Sequence, residues 1–459
     1  MNNIKNILNN VKNIHFIGIG GSGMCPIADI LIHKGYNVSG SDNYISDTLQ
    51  RIIDNGTKVF TEHNAENVKE AELVVYSAAI KEDNVERVAA TQMGIPCIER
   101  SVMLGLLCDE FENTIAVAGT HGKTTTTAML TQIFTMAQKD PSAVIGGKLP
   151  FINGNSCCGN SDTIICEACE YVDSFLQINP AIAVITNVEA DHLDYFGTLE
   201  NVIKSFNKFA QKANKLVVIN GDDENSVLAA KNVNVPIITF GESENNTYYA
   251  ENISEENVAF PSFTLMKTGE KIIDIKLSVP GKYNMLNALA AAAVAHYFNI
   301  SPEDIAKALH EFTGVHRRFE ILGKPNEITV ADDFAHHPTE INSVLTAASK
   351  MGFKRIIAVF QPHTYSRTVA FLDDFATALS IADVTILSEI LAVREVNTFN
   401  IKSEDLAEKI SNCICLRTFE EIADCIEELA KPGDLILTMG GGNVYVCANM
   451  ILNRLKNCK

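Results

Sequence analysis

The chain is short of several things, and each shortage removes a class of function. Lys and Arg number 37 against 56 Asp and Glu, which leaves a net charge of −19. Binding nucleic acid as a polyanion needs clustered Lys and Arg, so no nucleic-acid partner is expected; single nucleotides, held by local loops, are not excluded. No stretch approaches the roughly 18 consecutive apolar residues that cross a bilayer, so no membrane insertion is expected. The N-terminal MNNIKNILNNVKN lacks the apolar centre of a secretory signal, and a cytoplasmic location is expected. Twelve cysteines in 459 residues are too thinly spread for a disulfide framework. Cys157-Cys158 and Cys166-x-x-Cys169 tempt a zinc reading, but reduced buried thiols are the better expectation. The rest is ordinary globular composition, 46% apolar and 20% charged, and enough chain for about two to four domains.

What is present centres on Thr114 to Ala128. Ile115-Ala116-Val117-Ala118 reads as a short buried strand. It feeds Gly119, Thr120, His121, Gly122, Lys123 and Thr124, and then an apolar-periodic helix through Met129, Leu130, Ile133 and Phe134. Strand, glycine turn, Lys-Thr, helix is a layout that wraps polyphosphate in backbone N–H groups at a helix N-terminus. Lys123 would reach the outer phosphates and the Thr124 hydroxyl a magnesium ion. The loop is shortened: the general pattern wants a glycine where Val117 stands, and Gly119 lies only three residues before Gly122.

Upstream, a strand over 13–17 leads into Gly18, Gly20 and Gly23, spaced as G-x-G-x-x-G, with a helix from Pro26 to His33. A second strand over 36–40 ends at Asp42, where a ribose-binding acid belongs in a dinucleotide fold. Alone this would suggest an NAD oxidoreductase, although such glycines admit any diphosphate. Further strands at 73–76 and 96–98 complete a small parallel α/β unit, and the polar stretch 109–112 marks its end.

Downstream, the strand over 163–166 runs into Glu167-Ala168-Cys169-Glu170, and a carboxylate at a strand end beside a phosphate loop is a usual handle on magnesium. The strand over 182–185 delivers Glu189, Asp191, His192 and Asp194, a metal or base constellation. Residues 237–280 suggest antiparallel strands attached to the parallel core. Asn284 and Asn287, one turn apart at the start of a Leu/Ala helix, suit an adenine edge, or are plain helix caps. Beyond 314 the pattern resets. After a linker begun by Arg317-Arg318-Phe319, five strand–helix units predict a doubly wound sheet. Polar clusters end three of its strands, at 332–338, 361–367 and 440–443. Arg367, just past a strand end, is read as an anion ligand.

Taken together, HFIGIGGSGM (15–24), AGTHGKTTTT (118–127), EACEYVDSFL (167–176), TNVEADHLDYF (186–196), GKYNMLNA (281–288), RRFEILG (317–323), DDFAHHPTE (332–340) and FQPHTYSRT (360–368) resemble the Mur ligase family of ATP-dependent amide ligases over nearly the whole chain. The resemblance implies three α/β domains with mainly parallel sheets. They are a Rossmann-like UDP-substrate domain (1–109), a P-loop ATPase-like domain with a small antiparallel side sheet (110–314) and a second Rossmann-like, amino-acid-binding domain (315–459). It implies ATP and magnesium, expected as two ions, with UDP-N-acetylmuramate and L-alanine as substrates of a monomer or homodimer. ATP would phosphorylate the lactyl carboxylate, and the amine of L-alanine would attack the acyl-phosphate. Position by position it implies Lys123 on the transferred phosphoryl group, and Thr124, Glu167 and His192 on metal. Gly119, Thr120, Gly122, Thr125, Asn284, Asn287, Arg318, Asp332 and Asp333 fall to ATP. Gly20, Gly21, Ser22, Gly23, Asp42, His63, Ser77, Arg100 and His121 fall to the UDP-sugar. Phe334, His336 and Arg367 fall to the amino acid. Cys169 and Val172 stand where the commoner motif has acids, and the Gly440–Asn443 turn receives no role. A sister ligase that joins the same UDP-sugar to a preformed peptide shares these motifs. A non-catalytic UDP-sugar sensor is the alternative of another class, and the complete phosphoryl-transfer set speaks against it.

Overall fold

The computed structural model describes residues 7–254, 259–393 and 395–457; the first six residues of the N-terminal segment lie outside them. The chain divides into two compact units, one of Met1–Glu251, Thr264–Asp274 and Leu286–Leu309, the other of Asn252–Phe263, Ile275–Met285 and His310–Lys459. No helix among the described residues is long and apolar enough to cross a membrane.

The first unit opens with five parallel strands: β1 (Asn13–Ile17), β2 (Asn37–Ser41), β3 (Lys58–Phe60), β4 (Leu73–Tyr76) and β5 (Cys97–Glu99). Their order is β3-β2-β1-β4-β5, so the glycine turn after β1 emerges between the ends of β2 and β4. Ligands of open α/β sheets bind at such a reversal of strand order. The second sheet holds ten strands: β6 (Asn113–Ala118), β7 (Ser142–Leu149), β8 (Gly154–Cys157), β9 (Thr163–Glu167), β10 (Ile182–Ile185), β11 (Leu216–Asn220), β12 (Ile237–Gly241), β13 (Tyr248–Glu251), β14 (Ser262–Lys267) and β15 (Glu270–Lys276). They run in the order β15-β14-β13-β12-β11-β10-β6-β9-β7-β8. The phosphate-loop strand β6 is flanked by β10 and β9, both parallel to it. The antiparallel strands expected at 237–280 begin only at β14, which pairs antiparallel with β13, and they continue the main sheet.

The polar stretch 109–112 does not interrupt the packing. Leu104, Leu107 and Cys108, of the helix Arg100–Cys108, share one apolar cluster with Cys166, Phe175 and Ile178 from beyond it. The thiols of Cys108 and Cys166 meet there at 3.8 Å, both free.

The second unit carries a six-stranded sheet of β16 (Glu320–Gly323), β17 (Thr329–Asp333), β18 (Arg355–Phe360), β19 (Val384–Leu387), β20 (Cys413–Cys415) and β21 (Asp434–Met439), in the order β16-β17-β21-β18-β19-β20. The five predicted strands are present. The supposed linker after Arg317 is instead an antiparallel edge strand, β16, paired with β17. Apolar clusters cover both faces of the sheet, one with Leu345, Phe360 and Phe375, the other with Ile357, Ile436 and Ile451. This is the double covering that parallel sheets require.

One buried charge stands out in the first sheet. Glu86 is fully buried and accepts from the Ser41 hydroxyl at 2.6 Å, the Asn67 amide at 2.6 Å and His63 Nδ1 at 2.8 Å. Burial alone would raise its pKa, but the His15 imidazole close by and these bonds outweigh it and hold the carboxyl at about 2 instead of 4.5. A carboxyl depressed in the folded state stabilises fully above its unfolded pKa and loses that contribution as pH falls through its folded one. The margin is worth about 3 kcal/mol. The gap in melting temperature between wild type and Glu86→Gln should therefore hold from neutrality down to pH 4.5 and close toward pH 2. Melting curves across that range check it; a gap that does not narrow would be the contrary result.

Candidate active site

Three neighbouring strands deliver the polar cluster of the second sheet. From β6 comes the loop Gly119–Gly122, whose glycines take positive φ of 145° and 83°. At Gly119 a side chain would run into the Thr186 hydroxyl, so the loop passes too close to its neighbour for any other residue. That neighbour, the segment after β10, holds the loop in shape. Asn187 accepts from the Thr120 N–H on its carbonyl at 3.0 Å and from the His121 N–H on its side chain at 2.8 Å. Thr186 donates to the His121 carbonyl at 2.5 Å, and the Glu189 N–H donates to the Thr120 hydroxyl at 2.8 Å. The helix Lys123–Met136 then starts with Gly122 as its cap, leaving first-turn N–H groups free to meet an anion.

Lys123 does not wait extended. Its ammonium donates to the Gly119 carbonyl, to the Thr120 carbonyl at 3.1 Å and to Glu170 at 3.0 Å, with the other Glu170 oxygen at 2.9 Å. Burial would lower its pKa, but Glu170 beside it prevails and raises it. Lys123 is therefore charged and pre-aimed across the loop. Glu170, itself buried, is a member of the site that sequence reasoning had left without a task.

Glu167 ends β9 next door. Its Oε1 is buried without a hydrogen-bond partner, and a Cβ at position 146 would collide with this carboxylate, so Gly146 leaves the space beside it open. An orphaned buried carboxylate oxygen is costly unless a cation meets it. The residues present thus fit a divalent cation, with Thr124 in the first turn of the helix as a companion oxygen. His192 sits in left-handed backbone (φ 52°), its Nε2 3.7 Å from Asp191 and its ring 4.7 Å from Tyr171. Such strain in a non-glycine residue is characteristic of functional turns. His121 lies 3.4 Å from Glu189. Asn287 backs the loop, where the Thr126 hydroxyl donates to its Oδ1 at 3.3 Å, so in this state it braces the first turn. Thr125 is buried in that turn.

The first glycine turn shares a cleft with this cluster. A cavity of about 390 Å³ is lined by Gly21, Ser22, Gly23, Ser77, Arg100, Gly146, Glu167 and Cys169. It unites five substrate-side residues with a metal-side carboxylate. Asn155 of β8 donates to the Ser22 carbonyl at 2.8 Å, tying the turn to the second sheet. Asp42 accepts from Gly20 N–H at 2.9 Å and Tyr44 N–H at 3.0 Å, which braces the turn from the β2 side. Asp42 and His63 do not line the cleft; they belong to the flank toward β2 and β3.

In the second unit the three predicted clusters end β17, β21 and β18, which are adjacent in that order. The Gly440–Asn443 turn is therefore central. Arg317 donates to the Gly440 carbonyl at 2.7 Å and the Gly442 carbonyl at 2.9 Å, and pairs with Asp332 at 2.9 Å. The sequence favoured Arg318; Arg317 is the anchor of this corner. Arg318 and Arg317 each place a guanidinium over the Phe334 ring, at 5.2 and 4.9 Å. Asp333 accepts from the N–H groups of Phe319 and Ala335, each at 2.7 Å. Burial pushes its carboxyl up to about 6 against the lowering pull of Arg318 and those bonds. His336 and His363 meet edge to face at 5.6 Å, and Arg367 lies 3.3 Å from His363 Nδ1. Asn284 donates to the Pro280 carbonyl at 2.7 Å, the local bond of a helix start.

A phosphate-cradling helix start, a charged lysine held over it and an unspent carboxylate oxygen at the neighbouring strand end define a phosphoryl-transfer enzyme of the ATP-dependent ligase class. The chain matches the family described as "Mur ligase family, catalytic domain" over residues 13–112, "Mur ligase middle domain" over 117–295 and "Mur ligase, glutamate ligase domain" over 317–442. It belongs to the Mur ligase family, enzymes that form amide bonds at the expense of ATP. It is 45% identical over 451 residues to the UDP-N-acetylmuramate–L-alanine ligase of Acetivibrio thermocellus, covering 97% of this chain and 96% of that one. It is 43% identical over 448 residues to the enzyme of the same name from Clostridium tetani, covering 96% and 98%. The crystal structure of the UDP-N-acetylmuramate-alanine ligase of Thermotoga maritima superimposes with a TM-score of 0.82 at 30% identity, covering 97% of this chain and 100% of that one. A murein peptide ligase from Psychrobacter arcticus gives 0.74 at 26% identity, covering 98% and 99%.

Proposed function

We propose that this chain joins L-alanine to the lactyl carboxylate of UDP-N-acetylmuramate, with ATP cleaved to ADP and phosphate, as a step in making the peptidoglycan precursor. The observation that carries the reading is the shared cleft, where Gly21–Gly23, Ser77 and Arg100 face the same space as Glu167. A diphosphate held on the glycine turn would send its sugar toward the carboxylate that holds metal. A carboxylate is a poor electrophile because its oxygen leaves badly; phosphorylation makes that oxygen a good leaving group, and the alanine amine then forms the amide as phosphate departs. Magnesium supplies charge neutralisation between the two anions that must meet, and Thr124, Glu167 and His192 are the residues that would hold it. Lys123 orients and neutralises the transferred phosphoryl group. When nucleotide enters, phosphate oxygens would replace the Gly119 and Thr120 carbonyls as its partners, while Glu170 keeps it charged. In the second unit Arg367 would take the carboxylate of the amino acid and His336 would line its pocket. Phe334 would limit the side chain. Arg318, Asp332 and Asp333 would contact the nucleotide, with Asn284 and Asn287 on the adenine side.

The reading includes three domains at 1–109, 110–314 and 315–459, a cytoplasmic enzyme and a monomer or homodimer. Its test is phosphate release by the purified protein with ATP, magnesium, UDP-N-acetylmuramate and one candidate acceptor at a time. L-Alanine should be the best acceptor, ahead of glycine and L-serine, and a preformed tripeptide should give background only. Release with tripeptide but not with L-alanine would assign the peptide-joining activity instead.

A further inference from the structure

Glu86 is not used by the reaction as read above. It lies in the helix Val85–Gln92, fully buried, and His15 Nε2 stands 3.6 Å from the oxygen that Asn67 does not leave free. Stability alone does not call for a buried carboxylate among two imidazoles, a hydroxyl and an amide, since apolar side chains of the same volume in place of the whole cluster commonly serve as well. Only one of the two histidines reaches the surface: His15 is fully buried, whereas the side chain of His63 is 21% exposed. His63 is also within 3.1 Å of the Ser41 hydroxyl, and the next residue, Asp42, braces Gly20. The exposed ring therefore stands at the ligand end of the first sheet, outside the β2 and β3 strand ends.

A carboxylate can only accept, so the 2.8 Å bond between His63 Nδ1 and Glu86 puts the proton on Nδ1. Nε2 takes no protein partner among the described residues, and in the neutral ring it offers a lone pair. We propose that Glu86 is the positioning residue for base recognition, fixing His63 in the Nδ1–H tautomer so that Nε2 accepts from an N–H on the rim of a pyrimidine. Uracil carries such a donor at N3. Cytosine has a bare acceptor at N3, which would face the Nε2 lone pair and leave both unsatisfied. The site thus selects uridine over cytidine nucleotides. This rests on reading the first sheet as the place of a uridine-diphosphate sugar.

The test measures UDP and CDP binding by calorimetry to wild type, Glu86→Gln and His63→Gln, together with the long-range ¹⁵N–¹H histidine spectrum of wild type. Wild type should prefer UDP by about 10-fold or more, and both variants should lose most of that preference while KM for ATP stays unchanged. The His63 resonances, assigned by their loss in His63→Gln, should report Nδ1–H. An Nε2–H tautomer, or an unaltered UDP-to-CDP ratio in either variant, overturns the proposal. Because His63 is partly exposed, His63→Gln remains decisive if Glu86→Gln fails to fold. Absence of any uridine-nucleotide binding to wild type would instead refute the underlying reading of the site.

Discussion

Lys123→Ala should lower the ligation rate by about 10³-fold, the scale seen when one pre-aimed charge is removed from a developing anion. UDP-N-acetylmuramate should still bind with near wild-type affinity. The two halves follow from where the residue sits. Lys123 spans the phosphate loop, bonded to the Gly119 and Thr120 carbonyls, and no atom of it lines the cleft shared by Gly21–Gly23 and Arg100. The substitution also strands Glu170, a buried carboxylate whose ammonium partner lies 2.9 Å away, so part of the loss could be misread as unfolding. The double variant Lys123→Ala/Glu170→Gln removes that charge and should recover thermal stability without recovering turnover. Steady-state phosphate release with calorimetry of UDP-sugar binding checks both statements. Turnover within a few-fold of wild type in the single variant would sink the assignment of Lys123 to phosphoryl transfer.

Glu170 shows where sequence reading stops. Glu167 and Glu170 are two acids in one motif, and nothing in their spacing tells them apart. The fold sorts them by partner: Glu170 is satisfied by Lys123, and Glu167 keeps an oxygen with no protein donor. The adjacent pair Arg317 and Arg318 is ambiguous for the same reason, and left-handed backbone at Arg317 (φ 59°) turns its side chain to Asp332 and the Gly440–Gly442 carbonyls. The central glycine turn had no visible role because strand order is a long-range property. Only once β21 lies between β17 and β18 does its end fall among the other two clusters.

What was legible was local. Apolar strands with polar ends, such as those at 73–76 and 182–185, have the predicted bounds to the residue. β7, SAVIGGKL, escaped although it is long and internal to its sheet; the others that escaped were short, polar or at an edge, KVF of β3, GNSC of β8 and EILG of β16. Such strands draw their pairing from neighbours and not from their own pattern. The buried Glu86 escaped for a related reason. A glutamate in a helix of low apolarity looks solvated until Ser41, His63 and Asn67, from three other places in the sequence, converge on it.

Arg367→Ala should raise KM for L-alanine by about 100-fold, from loss of a charge-assisted bond worth about 3 kcal/mol. KM for ATP and for UDP-N-acetylmuramate should change less than about 3-fold, within the range of an indirect effect. Arg367 lies in the short helix Tyr365–Ala370, just past the end of β18. Its guanidinium stands 3.3 Å from His363, whose ring packs on His336, so two imidazoles fix its direction. A guanidinium presents a planar fork that matches a carboxylate, whereas an ammonium is a point charge. Arg367→Lys should therefore recover only part of the affinity, and the recovery should be lost when L-alanine is replaced by an amine lacking the carboxylate. Since the carboxylate of L-alanine takes no part in bond making, its loss should act on binding more than on kcat. Initial rates with L-alanine varied at saturating ATP and UDP-sugar separate the two. A collapse of kcat with KM for L-alanine unchanged would move Arg367 from the amino acid to the phosphoryl group, because only a contact made in the transition state produces that pattern.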